Sequence, residues 1–214
     1  MSYLVDNCFH WIGYHITDYL LEQGEKVVGV GEVKSELEEQ LSMLIGRNSL
    51  FTHLQPLDDA TYHTAIIIGE STFSNVSERQ LHIQTAHKQK NDQHITILSA
   101  PYLYGEWMPM YKDGCYTEKK EKVPFDSEQF LQEAVHIGDF ARELYSLMKK
   151  WERDKIVELP KTIHFTKKKH VKHDTSVEIQ NNRPVKAAFN QLQEHYRRFT
   201  FFYRQAYSAF NTDE

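Results

Sequence analysis

The sequence has only two cysteines, Cys8 and Cys115, in 214 residues. Nothing in their number or placement suggests a disulfide framework, so a reducing compartment is expected. No apolar stretch approaches the roughly 18 residues that a membrane-spanning helix requires. The first residues, Met1-Ser2-Tyr3-Leu4-Val5-Asp6, lack the basic region and apolar run of a secretory signal. The chain therefore reads as soluble and cytoplasmic, with no membrane partner. Positive charge is in deficit: Lys and Arg number 25 against 30 Asp and Glu, a formal net charge of −5. A broad basic surface for nucleic acid is not indicated. No internal repeat is visible.

What is present is ordinary for a globular chain: 40% hydrophobic and 26% charged residues. The length suits one sizeable domain, or one domain with a small appendage. Histidine is plentiful, with 12 residues, so the charge shifts between pH 7 and 6.

Tyr3-Leu4-Val5 reads as a short buried strand. From Trp11 to Gln23 the apolar spacing is helical, with Ile12, Ile16 and Leu20 on one face and Gly24 placed to end the helix. Lys26 to Val30 is a second strand, rich in β-branched residues. Together these make one βαβ unit. Ser35 to Ile45 reads as a helix, Leu50 to Leu54 as a strand and Ala65 to Gly69 as a strongly buried strand. Ser77 to Lys90 reads as a helix and Ile95 to Leu98 as a strand. Such alternation predicts a parallel sheet covered on both faces. Residues 105–126 read as a loop, and Ile137 to Trp151 as a helix. Short strands are expected at 156–159 and 162–165, around Pro160. Lys167 to Gln180 reads as irregular, and a long final helix runs from Pro184 to about Phe210.

Three stretches carry a resemblance. The first turn reads Val5-Asp6-Asn7-Cys8-Phe9-His10-Trp11-Ile12-Gly13. Later come Ser99-Ala100-Pro101-Tyr102-Leu103-Tyr104-Gly105-Glu106, closing a strand, and His136-Ile137-Gly138-Asp139-Phe140-Ala141, opening a helix. In this order they resemble the extended short-chain dehydrogenase/reductase family of NAD-dependent epimerases and dehydratases, over roughly residues 3–150. The resemblance implies an α/β fold: a Rossmann-like doubly wound parallel sheet over residues 1–150. Residues 151–214 would form a C-terminal extension, a substrate-domain remnant with two short strands and a long aromatic helix. It also implies where a dinucleotide would lie: on Asn7, His10, Trp11, Ile12 and Gly13, with Glu32 near the ribose and Gly69 at the end of a later strand.

The glycines of such a turn have separate tasks: the tight turn, the close approach of the pyrophosphate, and helix–strand packing. Here Asn7 and His10 stand at the first two positions and only Gly13 remains. Asn tolerates φ > 0 and can keep the turn. The His10 side chain would lie where the pyrophosphate approaches. Gly31 stands where the family often has a ribose-binding Asp, with Glu32 next to it.

The family's chemistry uses a Tyr and a Lys four residues apart on one helix face. Between Gly69 and Ile95 there is no Tyr, and there is room for one helix where the family fits another strand and helix. Tyr116 with Lys120 and Tyr145 with Lys149 match the spacing in the wrong place, and are read as coincidence, with Tyr145 packing its helix and Lys149 in solvent.

Two further segments carry alternatives. Gly69-Glu70-Ser71-Thr72 could line a crevice at the strand ends, or supply a helix cap, the reading preferred here. His170-Val171-Lys172-His173-Asp174 could hold a metal, and the run Lys167 to His173 could grip phosphate or RNA, but Lys167, Lys168 and Lys169 repel a cation and a solvated loop is the reading preferred here. In the last helix Val185, Phe189, Leu192, Tyr196, Phe199, Tyr203, Ala206 and Phe210 form a seam of alternating three- and four-residue steps. It either docks on its own domain or joins another subunit or partner. Arg197, Arg198 and Arg204 accompany it.

The leading expectation is a non-catalytic relative, a pseudoenzyme, that binds or regulates through self-association or a protein partner. It would have no catalytic residue, no metal and no cofactor. The alternatives are an NAD- or NADP-dependent sugar-nucleotide epimerase, dehydratase or reductase, and a dinucleotide sensor without chemistry.

Overall fold

The computed structural model describes residues 2–54, 62–69, 77–84, 95–117, 120–156, 158–167, 175–180 and 185–210. The opening unit is β1 (Ser2–Asp6), α1 (Trp11–Glu22) and β2 (Lys26–Val30). Gly24, at φ 79°, takes the left-handed conformation that turns the chain back after α1. Ser35 caps α2 (Glu36–Ile45), its hydroxyl accepting from the Glu38 N–H. Then come β3 (Phe51–Leu54), β4 (Tyr62–Ile68), β5 (Ser77–Gln84), β6 (Ile95–Ser99) and β7 (Tyr102–Tyr104). Short elements follow: β8 (Met110–Tyr111), β9 (Gly114–Tyr116), β10 (Lys122–Pro124), α3 (Glu128–Glu133) and β11 (Ala134–His136). The chain ends with α4 (Ile137–Arg153), β12 (Thr162–Thr166), β13 (Ser176–Glu178), α5 (Val185–Arg198), α6 (Thr200–Ala206) and a short 3-10 turn, Ser208–Phe210.

Eight strands form one sheet in the order β13-β12-β6-β5-β4-β1-β2-β3, with every neighbouring pair parallel. Inward from the β3 edge this is the 3-2-1-4-5-6 order of a Rossmann sheet. The helices α1, α2 and α4 lie on one face. Their apolar stripes (Ile12, Ile16 and Leu20; Leu37 and Leu41; Phe140 and Leu144) join Tyr3, Ile66 and Leu81 in the main core. The cluster on the other face, Leu4, Val30, Tyr62 and Ala65, contains no residue of a described helix. Cover on both faces is thus seen on one face among the described residues. The segments after β3, β4 and β5 (55–61, 70–76 and 85–94) lie outside them, and so do Ser71, Thr72 and the 170–174 run.

Four expectations are corrected. Residues 77–84 are a strand, not the start of a helix. Leu81 and Ile83, two apart and buried, face the helices, and β5 pairs with β4 and β6 on either side. Pairing in this slot overrides the helical propensity of Ser-Glu-Arg-Gln. A family-like strand is therefore present here, and only residues 69–76 and 85–94 connect it to its neighbours. Second, residues 105–126 are not only loop: β8, β9 and β10 form a small antiparallel sheet that buries Met110, Cys115 and Val123. Third, the strand Ser176–Glu178 stands in the stretch read as irregular, paired with β12. No strand is seen among the described residues of 156–159.

The fourth correction concerns the last helix, which breaks at Phe199 (φ −114°, ψ 27°). The Thr200 hydroxyl turns back onto the Tyr196 carbonyl at 2.8 Å. The break lets two tyrosines reach one residue. Tyr203 Oη accepts from the Trp107 N–H at 2.8 Å, and Tyr207 Oη donates to the Trp107 carbonyl at 2.6 Å. Much of the seam docks on its own chain: Leu192 and Tyr203 are buried, and Phe189 stacks on Phe125. Both cysteines are also buried, and burial pushes Cys8 up to about 12 and Cys115 up to about 11.

Tyr203→Phe leaves the buried Trp107 N–H without an acceptor. It should destabilise the chain by about 1–3 kcal/mol in urea unfolding, with the secondary structure unchanged. A midpoint equal to the wild type would show that the Tyr203–Trp107 bond contributes nothing.

Candidate functional site

The turn after β1 sits at the carboxyl ends of the central strands, where ligands bind in open α/β sheets. Asn7 holds the left-handed conformation, φ 55°. Its Nδ2 donates to the Ile68 carbonyl at 2.7 Å, so the side chain ties the turn to the end of β4 beside Gly69. A Cβ at Gly31 would lie 3.5 Å from the Asn7 and Cys8 backbone, so Gly31 runs alongside this turn. At Gly13 a Cβ would meet the Asn7 carbonyl oxygen, so this glycine serves the close approach of helix and turn. Asn7, Gly13, Gly31 and Gly69 thus converge. Glu32 lies beyond, exposed and paired with Lys34 at 3.0 Å. The Trp11 and Ile12 side chains are buried in the core and offer a ligand only their backbone.

His10 decides what that backbone can do. It is the N-cap of α1, and its Nδ1 accepts from the Ile12 N–H at 3.3 Å. The His10 N–H donates to Asn7 O, and the Cys8 N–H to Val30 O. A helix N-terminus binds phosphate through N–H groups of this kind. Three of them are engaged inside the chain.

Among the described residues no tyrosine–lysine pair at the four-residue spacing stands at this site. All 12 tyrosines fall among the described residues. Tyr145 and Lys149 lie at the opposite end of the sheet. Tyr145 Oη donates to Glu25, and Lys149 pairs with Glu25 at 2.7 Å and Glu152 at 2.9 Å. Tyr3 Oη donates to the same Glu152, so Lys149 belongs to a clamp and is not free in solvent. Tyr116 is buried in β9, and Lys120 lies over the Phe210 ring.

A second site escaped sequence reasoning. A cleft of about 520 Å³ runs between α1 and α4, bounded by the Glu106–Trp107 loop and the end of α5. Glu106 is its hub. The His15 ring meets the Glu106 carbonyl at 2.9 Å, and His136 Nε2 lies 3.9 Å from its carboxylate. His136 Nδ1 accepts from the Gly138 N–H, which puts the neutral ring's proton on Nε2, facing Glu106. Burial opposes the Glu106 charge, but His15, His136 and His195 outweigh it and hold the carboxyl below its usual range. Burial raises Asp18, in the same cleft. The polar spacing of His15, Asp18 and Glu22 on α1 was a visible signal, but only contact with α4 reveals its use. Among the described residues no three His, Cys, Asp or Glu side chains form a metal-binding group, and no helix is long and apolar enough to cross a membrane.

No protein-family model matches the sequence, and no curated protein matches it. Solved structures do match in shape. A yeast methylglyoxal/isovaleraldehyde reductase complexed with NADPH shares 10% identity at a TM-score of 0.55, over 94% of this chain and 99% of that one. The dTDP-glucose 4,6-dehydratase of Bacillus anthracis, complexed with NAD, shares 8% at a TM-score of 0.58, over 94% and 98%. The fold is a Rossmann fold. The UDP-N-acetylglucosamine 4-epimerase of Bacillus cereus has the same Rossmann fold, with 8% identity and a TM-score of 0.51 over 92% and 99%.

The cleft carries a pH signature. Burial pushes His195 down to about 4 against the pull of Glu106. An unfolded histidine titrates near 6.5. Between these values the unfolded chain holds the extra proton, so stability rises with pH. The His195 contribution is complete above about 6.5 and is lost as pH falls towards 4. Urea unfolding free energies from about pH 4.5 to 7 should therefore fall less steeply with acid in His195→Gln than in the wild type. Parallel profiles would refute this.

Proposed function

We propose that this chain is a non-catalytic Rossmann-fold module that binds or regulates. The observation that supports this most is the His10 imidazole on the Ile12 N–H. An N–H that would meet a diphosphate is satisfied from within, and the imidazole stands in the approach. The Tyr145–Lys149 pair is committed to a clamp at the far end of the sheet. The module acts through association at its last helix. Phe201 on α6 is 64% exposed, and Met43 and Leu44 on α2, against which α6 packs, are exposed as well. Arg197, Arg198 and Arg204 are exposed around it. Aromatic and arginine side chains in such company are the usual anchors of protein interfaces.

The retained turn geometry at Asn7 and Gly31 favours a second reading, a dinucleotide sensor. Titration of NAD(H) and NADP(H) separates the two. A ligand at 100 times its dissociation constant stabilises a fold by about 2.7 kcal/mol. The wild type should show no change in thermal midpoint at millimolar nucleotide. His10→Gly, which frees the Ile12 N–H, should bind more tightly than the wild type. A saturable rise in the wild type would favour the sensor, and turnover of a nucleotide sugar would establish an enzyme.

Association has its own measurement. Light scattering of the wild type should give a mass above that of one 25.3 kDa chain, and Phe201→Asp should lower it without loss of fold. A wild-type mass of one chain would remove self-association.

A further inference from the structure

Among the described residues five large apolar side chains are exposed, and four of them belong to α2, the residues leading into it, and α6. Val33 leads into α2, Met43 and Leu44 lie on its last turn, and Phe201 stands on α6, which packs against α2. The fifth, Leu131, is on α3. Apolar residues exposed singly are ordinary on a protein surface, whereas a group of them on two packed helices marks an interaction surface.

The charges beside these residues are of both signs. Arg197 and Arg204 are exposed, and neither guanidinium has an ion pair or hydrogen bond among the described residues. Other cations are engaged within the chain: Arg142 with Asp139, and Lys149 with Glu25 and Glu152. Glu36 and Glu39 are exposed in the first turn of α2, and their carboxylates are likewise unpaired among the described residues. On their own chain the two sets do not meet, although their helices are neighbours.

A basic partner would leave the arginines unanswered, and an acidic one the glutamates. A second copy answers both, because a two-fold axis sets each patch of one chain against the other patch of its mate, twice over. With a net charge of −5 two copies repel as wholes, so docking needs local complementarity of this kind. We propose that the α2–α6 face forms an isologous dimer, an inference that rests on self-association of the module. Phe201 of each copy covers Met43 and Leu44 of the other, with Arg197 and Arg204 facing Glu36 and Glu39 across the axis.

Sedimentation equilibrium of the full chain tests it with two charge-reversed variants. One carries Arg197→Glu with Arg204→Glu, the other Glu36→Arg with Glu39→Arg. All these side chains are exposed, so circular dichroism should be unchanged. The wild type should reach the mass of two 25.3 kDa chains and stop there. Each variant alone should dissociate more readily by about ten-fold or more, and an equimolar mixture of the two should return to the wild-type curve. Arg204→Glu and Glu39→Arg as single changes give the same comparison if a double variant fails to fold. A wild-type mass of one chain would remove self-association and this face with it. A two-chain mass that neither variant lowers would leave self-association standing and overturn this face. A mass that climbs without limit, or variants that do not recover on mixing, would overturn the two-fold pairing.

Discussion

Both backbone groups of Trp107 are satisfied by tyrosine hydroxyls from the end of the chain, and the placement of the C-terminal elements follows from that. Trp107 sits in the loop after β7, at φ 66°, a conformation that a bulky residue takes only when its surroundings hold it. Tyr203 stacks on its ring, while His195 meets it edge-on and accepts from, or donates to, the Tyr203 hydroxyl. Through this contact the end of α5 is held at the α1–α4 groove, where His195 and Phe199 line it. A groove between two helices becomes a cleft with a third wall.

The sheet shows what can be trimmed from a Rossmann fold while its strand order persists. Order depends on parallel pairing and on a core that one helical layer can bury. Here α1, α2 and α4 supply that layer, and Tyr3, Val5, Ile66 and Leu81 face it. Strand β5 pairs along most of its length with β4 and β6, and residues 69–76 and 85–94 connect it to them. In the family that this sequence resembles, the proton-transfer helix would belong to that shortened stretch. The proposed lack of catalysis and the shortening are thus two aspects of one change.

The opening unit was legible because its signals are local: an apolar strand, a 3.6-residue stripe, a glycine at the helix end. The same holds for α4, whose stripe from Ile137 to Trp151 is unbroken. β5 was misread because Leu81 and Ile83 are its only strong apolar pair, and a two-residue alternation is faint beside helix-forming neighbours. Its identity comes from the slot between two strands far away in sequence. The turn residues were found by their order, but the bond between His10 and Ile12 is a matter of side-chain direction that spacing does not encode. The cleft was invisible for a related reason: His15, Glu106, Asp139 and His195 come from four separate segments. The seam on the last helix was readable, and its break at Phe199 was not, since Thr200 is an ordinary helix residue until its hydroxyl turns inward.

The two thiols stay protonated at neutral pH and are both buried, one beneath the first turn and one in the small antiparallel sheet. An alkylating reagent therefore meets neither in the intact protein. Each becomes available only when its own neighbourhood opens, so the chain contains two built-in clocks: one for fraying of the sheet's centre, the other for release of the appended hairpin.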